Sequence, residues 1–243
     1  MKAMLFAAGL GTRLKPLTNN KPKALVEIGG ITLLERCIRH LKQNGIHEIV
    51  INVHHFGNQI RAFLVDNNNF DLTLHISDES EGLLDTGGGI LKAEEFLSGE
   101  EPILLVNVDV LTNLDFQQVL HFHEKTNSLA TLVVRQRQTS RYLLFNKNQL
   151  AGWKNMKSGE VKVSRPKLID SAEEFAFSGI HIIQPELLGL ITETGKFSII
   201  DLYLRLAKTE KVSAFVDQQS VWMDLGKVDE LAEAEALIKQ LEA

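Results

Sequence analysis

The sequence predicts an α/β fold: a doubly wound, mixed but mostly parallel sheet with helices on both faces and a small β excursion. Three observations predict it. Short apolar runs alternate with segments of helical periodicity up to residue 135. From residue 140 to 183 that rhythm breaks into short β-like pieces. Helical patterns then return towards the C-terminus.

The elements follow in order. Residues 3–8 read as a buried strand. Residues 32–44 read as a helix, because Leu34, Cys37, Ile38 and Leu41 recur at helical spacing and Gly45 suits its end. Residues 48–53 form the next strand, 57–65 a helix, and 71–76 alternate as a strand. A helix is predicted over 88–97, a buried strand over 102–107, a helix over 115–125 and a strand over 129–135. The excursion carries β pieces at 142–145 and 175–183, and helices close the chain at 199–208 and 228–241. No linker, low-complexity stretch or repeat interrupts the sequence, so one domain over residues 1–243 is expected.

Composition narrows the function. The chain has 243 residues, 44% of them apolar and 23% charged, which is ordinary globular usage. A net charge of −5, with both signs dispersed, lacks the basic face of a duplex nucleic-acid binder. It leaves room for a small phosphorylated ligand in a local basic pocket. The single cysteine, Cys37, can form no internal disulfide, and its place on an apolar helix stripe suits a core residue. No apolar run approaches the roughly 18 residues of a bilayer span, and the N-terminus lacks a signal-peptide layout. The expectation is a cytoplasmic protein with neither nucleic acid nor membrane as partner. A homo-oligomer is compatible with the sequence.

The first chemical signal follows the first strand. Gly9-Leu10-Gly11-Thr12-Arg13 offers glycines that permit positive φ and close backbone approach, and successive N–H groups that can cradle phosphate. Arg13, Lys15, Lys21 and Lys23 add four cations, with no acid from Met1 to Val26. Leu14 stands where a dinucleotide-binding loop needs its third glycine, which argues against a nicotinamide-dependent oxidoreductase. A Gly-Lys-Ser/Thr triplet is absent too.

Two aspartates stand out. Asp109 in "ILLVNVDVL" lies just past a buried strand, where open α/β sheets present ligand groups; a turn or cap role is equally open to it. Asp224 in "VWMDLGKVDEL" precedes Leu-Gly and the last helix. Gly87-Gly88-Gly89 opens a predicted helix, at a cost of roughly 1 kcal/mol per glycine relative to alanine. Such a cost suggests that something comes close to the backbone there; a flexible loop or cap is equally open to it.

The run G-L-G-T-R-L-K-P-L-T-x-x-x-P-K-A-L resembles the signature of the sugar-1-phosphate nucleotidyltransferases. "LLDTGGGIL", "INVHHFGNQI" and "FAFSGIHII" extend the likeness over most of the chain, towards the short N-acetylmuramate 1-phosphate uridylyltransferases and related mannose 1-phosphate guanylyltransferases. The resemblance implies a Rossmann-like sheet whose β excursion serves the sugar. It implies transfer of a nucleotidyl group from an NTP to a sugar 1-phosphate, feeding cell-envelope polysaccharide synthesis. By the same resemblance Ala8, Gly9, Gly11, Thr12 and Arg13 wrap the triphosphate, Arg13 and Lys23 are catalytic, and Asp85, Thr86, Gly87 and Gly88 lie near the base. Asp109 and Asp224 would hold Mg²⁺, with Val108 replacing the family's usual glycine before the first of them. Asn107 and Gly179 would face the sugar. The Glu-Lys-Pro of many relatives, whose lysine grips the sugar phosphate, has no clean copy, and Lys162 and Lys167 are the candidates for that lysine. UTP with an N-acetylmuramate-like sugar is the expectation. GTP with a mannose- or heptose-type sugar is the alternative, and a non-catalytic nucleotide-sugar-binding regulator is the rival of another class.

Overall fold

A computed structural model of the chain describes residues 1–226 and 228–242. It opens with β1 (Lys2–Phe6), in which Ala3, Met4 and Leu5 are fully buried. A small hairpin, β2 (Glu27–Ile28) and β3 (Ile31–Thr32), leads into α1 (Leu33–Gln43). Thr32 caps α1 by accepting from the Glu35 N–H at 3.1 Å, a contact worth about 1 kcal/mol. β4 (Glu48–Val53), α2 (Gly57–Asp66) and β5 (Thr73–Asp78) continue the alternation. Next come α3 (Asp85–Lys92), the single turn α4 (Glu94–Leu97), β6 (Ile103–Asn107) and β7 (Val110–Thr112). α5 (Phe116–Thr126), capped by Asp115, precedes β8 (Ala130–Arg135). The excursion holds β9 (Arg141–Asn146), β10 (Gln149–Asn155), β11 (Val161–Val163), the short α6 (Pro166–Ile169) and the long β12 (Glu173–Ile183). α7 (Ile199–Leu206), β13 (Val212–Val216), β14 (Trp222–Asp224) and α8 (Leu231–Glu242) complete the chain.

The main sheet runs in the order β11-β10-β13-β8-β12-β6-β1-β4-β5. β6, β1, β4 and β5 are mutually parallel, as are β8 and β13. β12 runs antiparallel between β6 and β8. β9 pairs with both β10 and β12, so the excursion folds back and closes a ring of strands. Strand alternation sends side chains to two separate cores. Ala3 and Leu5 pack with Leu34, Ile60 and Val119, from α1, α2 and α5. Met4 packs with Ile90 and Leu202, from α3 and α7, on the opposite face. The doubly wound prediction therefore holds. A third cluster joins Leu14 and Leu33 to Leu225, Ala234 and Ile238, placing α8 beneath the glycine loop.

Some strands differ from the prediction. β13 is five residues long and sits between helical patterns, too short to signal alone. β10 contains Gly152, at a register shift against β9, where a Cβ would lie 2.5 Å from the Lys162 carbonyl. The helix predicted at residue 88 begins at Asp85. Among the described residues no helix is long and apolar enough to cross a membrane.

Candidate active site

β5 and β6 lie on opposite sides of β1 and β4, so the chain reverses its winding direction between β1 and β6. Such a switch point leaves a crevice at the carboxyl ends of the strands. A cleft of about 430 Å³ opens there, within the usual size of small-ligand sites. Ala8, Gly9, Gly11, Thr12 and Arg13 form one wall; Asn107, Val108 and Asp109 form another; Lys23, Asp85 and Thr86 also reach it.

The loop's shape is fixed locally. Gly11 has φ +62°, and a Cβ on it would come 3.0 Å from Thr18 Cγ2. Thr18 Oγ1 donates to the Gly11 carbonyl at 2.9 Å, and the Leu14 N–H donates to the same oxygen at 2.9 Å. This turn exposes Thr12 and Arg13 while burying Leu14. Gly226 completes the setting, because a Cβ there would stand 3.1 Å from both terminal nitrogens of Arg13. From below, buried Asn52 accepts from the Ala7 N–H at 2.7 Å and the Ala8 N–H at 3.3 Å. Its Nδ2 donates to Glu79 Oε1 at 2.7 Å, and Glu79 Oε2 accepts from the Leu84 N–H at 3.0 Å. A polar strut thus ties β1, β4 and the approach to α3.

Across the cleft Lys23 forms an ion pair with Asp109. The Val108 N–H donates to the Phe6 carbonyl at 3.2 Å, which fixes the strand end and turns Asp109 towards Lys23. β14 pairs with β7 so that Asp224 faces Val110, and the Leu225 N–H donates to the Asp109 carbonyl at 2.9 Å. The ribbon thus brings the backbone of Asp224 beside that of Asp109, although only Asp109 lines the cleft. Among the described residues no group of three or more His, Cys, Asp or Glu is placed to hold an ion. A divalent cation here would therefore need phosphate oxygens or water to complete its shell.

Other expected residues divide. Gly179, at φ +74°, sits in the bulge of β12, and a Cβ on it would fall 2.8 Å from Asn107 Nδ2. Gly87 and Gly88 do not line the cleft. They are buried because a Cβ on Gly87 would meet the Phe197 ring at 2.3 Å, and one on Gly88 the Gly195 carbonyl at 2.3 Å. The close approach that the glycines predict is real, and the approaching group is the chain's own 195–197 segment. Lys162 also lies elsewhere: on edge strand β11 its ammonium holds Asp201 at 2.7 Å. Cys37 is a core residue, its thiol pushed up to about 12 chiefly by burial.

Sequence reasoning missed Asn52, Glu79 and Lys196, which all reach the cleft. Asn52 had a faint signal, a polar residue inside an apolar strand. Lys196 had none, because the segment that carries it reaches α3 only through tertiary hydrogen bonds. These run from the Gly87 N–H to the Phe197 carbonyl (3.0 Å) and from the Phe197 N–H to the Leu84 carbonyl (3.2 Å).

Known proteins share this design. The chain is 34% identical to N-acetylmuramate alpha-1-phosphate uridylyltransferase from Neisseria meningitidis serogroup B, covering 98% of both chains. It is 32% identical to the protein of that name from Caulobacter vibrioides, covering 98% of this chain and 97% of the relative. Among solved structures, the inositol-1-phosphate CTP transferase from T. maritima superposes with a TM-score of 0.78 over 99% of this chain and 96% of the other. At 18% identity that likeness is one of fold. Residues 2–240 match the nucleotidyl transferase family, and the chain belongs to it.

Proposed function

We propose that the protein transfers a uridylyl group from UTP to the 1-phosphate of an N-acetylmuramate-like sugar, releasing pyrophosphate. The observation that carries this reading is the meeting of the glycine loop, Arg13, Lys23 and Asp109 in one cleft at the switch point. The two relatives above, each matched over nearly its whole length, favour the uridylyl and muramate assignments.

In this reading a phosphate oxygen of the sugar 1-phosphate attacks the α-phosphorus of UTP in line. The new O–P bond forms as the bond to the β-phosphate oxygen breaks, and pyrophosphate departs with the electron pair. No covalent enzyme intermediate is required. The loop N–H groups hold the triphosphate, and Arg13 meets the equatorial oxygens of the transferring group with its planar fork. Lys23 supplies a point charge once a ligand draws it from Asp109. Asp109 and Asp224 would hold Mg²⁺, which would supply Lewis-acid charge to offset the charge developing on the transferring phosphate. Fixed geometry supplies much of the remaining barrier reduction.

The test is pyrophosphate release with Mg²⁺ over four NTPs against a panel of sugar 1-phosphates. UTP with N-acetylmuramate 1-phosphate should be the strongest pair. A GTP–mannose 1-phosphate maximum would overturn the substrate assignment and keep the chemistry. A silent grid, with nucleotide-sugar binding in calorimetry, would replace transfer by a regulatory role.

A further inference from the structure

We propose that Arg137 receives the phosphate of the sugar 1-phosphate, a role that rests on the nucleotidyl-transfer reading above. That reaction brings two polyanions together, so the acceptor's phosphate needs a cation of its own. Arg13 and Lys196 line the cleft that takes the nucleotide in this reading, and two other cations are already held. Lys23 is on Asp109, and Arg135 on Asp217 at 2.7 Å. Arg137 differs. Among the described residues its hydrogen bonds go only to carbonyls, Phe177 O at 3.2 Å and Gln138 O at 3.5 Å, and no carboxylate lies within ion-pair distance. Its Nε is buried without a hydrogen-bond partner among the described residues.

The surroundings orient this guanidinium. Its carbon lies 4.5 Å from the centre of the Trp222 ring, a cation–π contact that holds the guanidinium against the indole. Trp222 is itself pinned, its Nε1 donating to the Ser178 carbonyl at 2.8 Å. Residues alternate along a strand, so Trp222 and Asp224 share one face of β14. Asp224 is near enough for its charge to act on Arg137, opposing the lowering of its pKa by burial.

The same patch touches the cleft. Ser178 adjoins Gly179, whose missing side chain makes room for Asn107, a cleft residue. Ser178 is fully buried, and its hydroxyl has no partner among the described residues. A second unmatched polar group therefore lies in the bulge of β12, beside the residues that hold Arg137. A planar cation, an unmatched hydroxyl and a glycine opening side by side suit a phosphomonoester carried on a sugar.

The test is calorimetry on the full chain saturated with Mg²⁺ and α,β-methylene UTP, which cannot be cleaved at the reacting bond. N-acetylmuramate 1-phosphate and mannose 1-phosphate are the titrants. Arg137→Gln should weaken sugar 1-phosphate binding by about tenfold or more, and Arg137→Lys by less, because a charge without the fork remains. Binding of the nucleotide analogue should stay within about twofold, and the melting temperature within a few degrees. Sugar 1-phosphate binding unchanged in Arg137→Gln would overturn the proposal. So would an equal loss of nucleotide affinity, or a parent protein that binds the analogue and neither sugar 1-phosphate. A parent that binds neither class would bring down the nucleotidyl-transfer reading itself. Should Arg137→Gln not fold, Arg137→Lys carries the test, with unchanged sugar 1-phosphate affinity as the refuting result.

Discussion

Gly88→Ala should be destabilising, although alanine is the better helix former. Gly88 lies inside α3, where the exchange alone would gain about 1 kcal/mol. The new Cβ would stand 2.3 Å from the Gly195 carbonyl oxygen and 3.0 Å from Leu84 Cβ. Carbon and carbonyl oxygen normally approach to about 3.3 Å, so backbone must yield by about 1 Å. A backbone oxygen cannot swing aside as a side-chain tip can. Overpacking costs roughly 1–3 kcal/mol, and a backbone clash of this depth belongs at the upper end, about 2–3 kcal/mol, which leaves a net loss of about 1–2 kcal/mol once helix propensity is subtracted. For a chain of this length that lowers the melting temperature by roughly 2–8 °C. The displaced segment also carries Lys196 into the cleft, so affinity for UTP should fall along with stability. Scanning calorimetry and UTP titration read the two effects. A variant as stable as the parent, with UTP binding within about twofold, would refute the reasoning about the glycine run.

Three further outcomes follow from the geometry. Arg13→Ala removes an exposed cation from the cleft and should lower kcat by roughly 10²–10³ in steady-state assays, with little change in melting temperature. Asn52→Ala strands the Ala7 and Ala8 N–H groups and a Glu79 oxygen, and should cost about 1–3 kcal/mol in urea unfolding while raising KM for the NTP. His123 and His181 are buried, and burial lowers their pKa values to about 4 and about 3. In the unfolded chain they take protons near pH 6.5, so their contribution is full above that pH and is lost as pH falls towards the folded values. Each group's share of the loss is about 1.4 kcal/mol per pH unit within its window, and His123→Asn should flatten part of a melting curve series between pH 7 and pH 5.

The parts of the site that were legible in the sequence are the parts that act locally. The glycine loop, Arg13 and Lys23 belong to one stretch of chain, so spacing alone announces their chemistry. Asp109 was legible because it ends a buried strand. The remainder depends on pairing between distant segments. Asn52 and Glu79 meet the loop only because β4 lies beside β1 and β5 beside β4. Lys196 arrives through a segment folded against α3. Gly87 and Gly88 signalled a steric demand without naming the neighbour that made it. Lys162 is a reminder that charge type does not give position: the register of β10 and β11 sends it to the sheet edge. Short strands such as β13 and β14 take their identity from their partners, and five or three residues hold too little periodicity to declare it.

Leu14, in the loop near the start of the chain, shares its small core with Ala234 and Ile238 from the last helix. This places a condition on the order of assembly. During synthesis the strands of the parallel half can pair long before residue 231 leaves the ribosome. The underside of the loop is still bare at that stage, and Leu14 faces water. A chain ended ahead of α8 would possess the sheet and lack the support that holds Arg13 in register. The apolar support beneath the glycine loop therefore forms only once α8 is made.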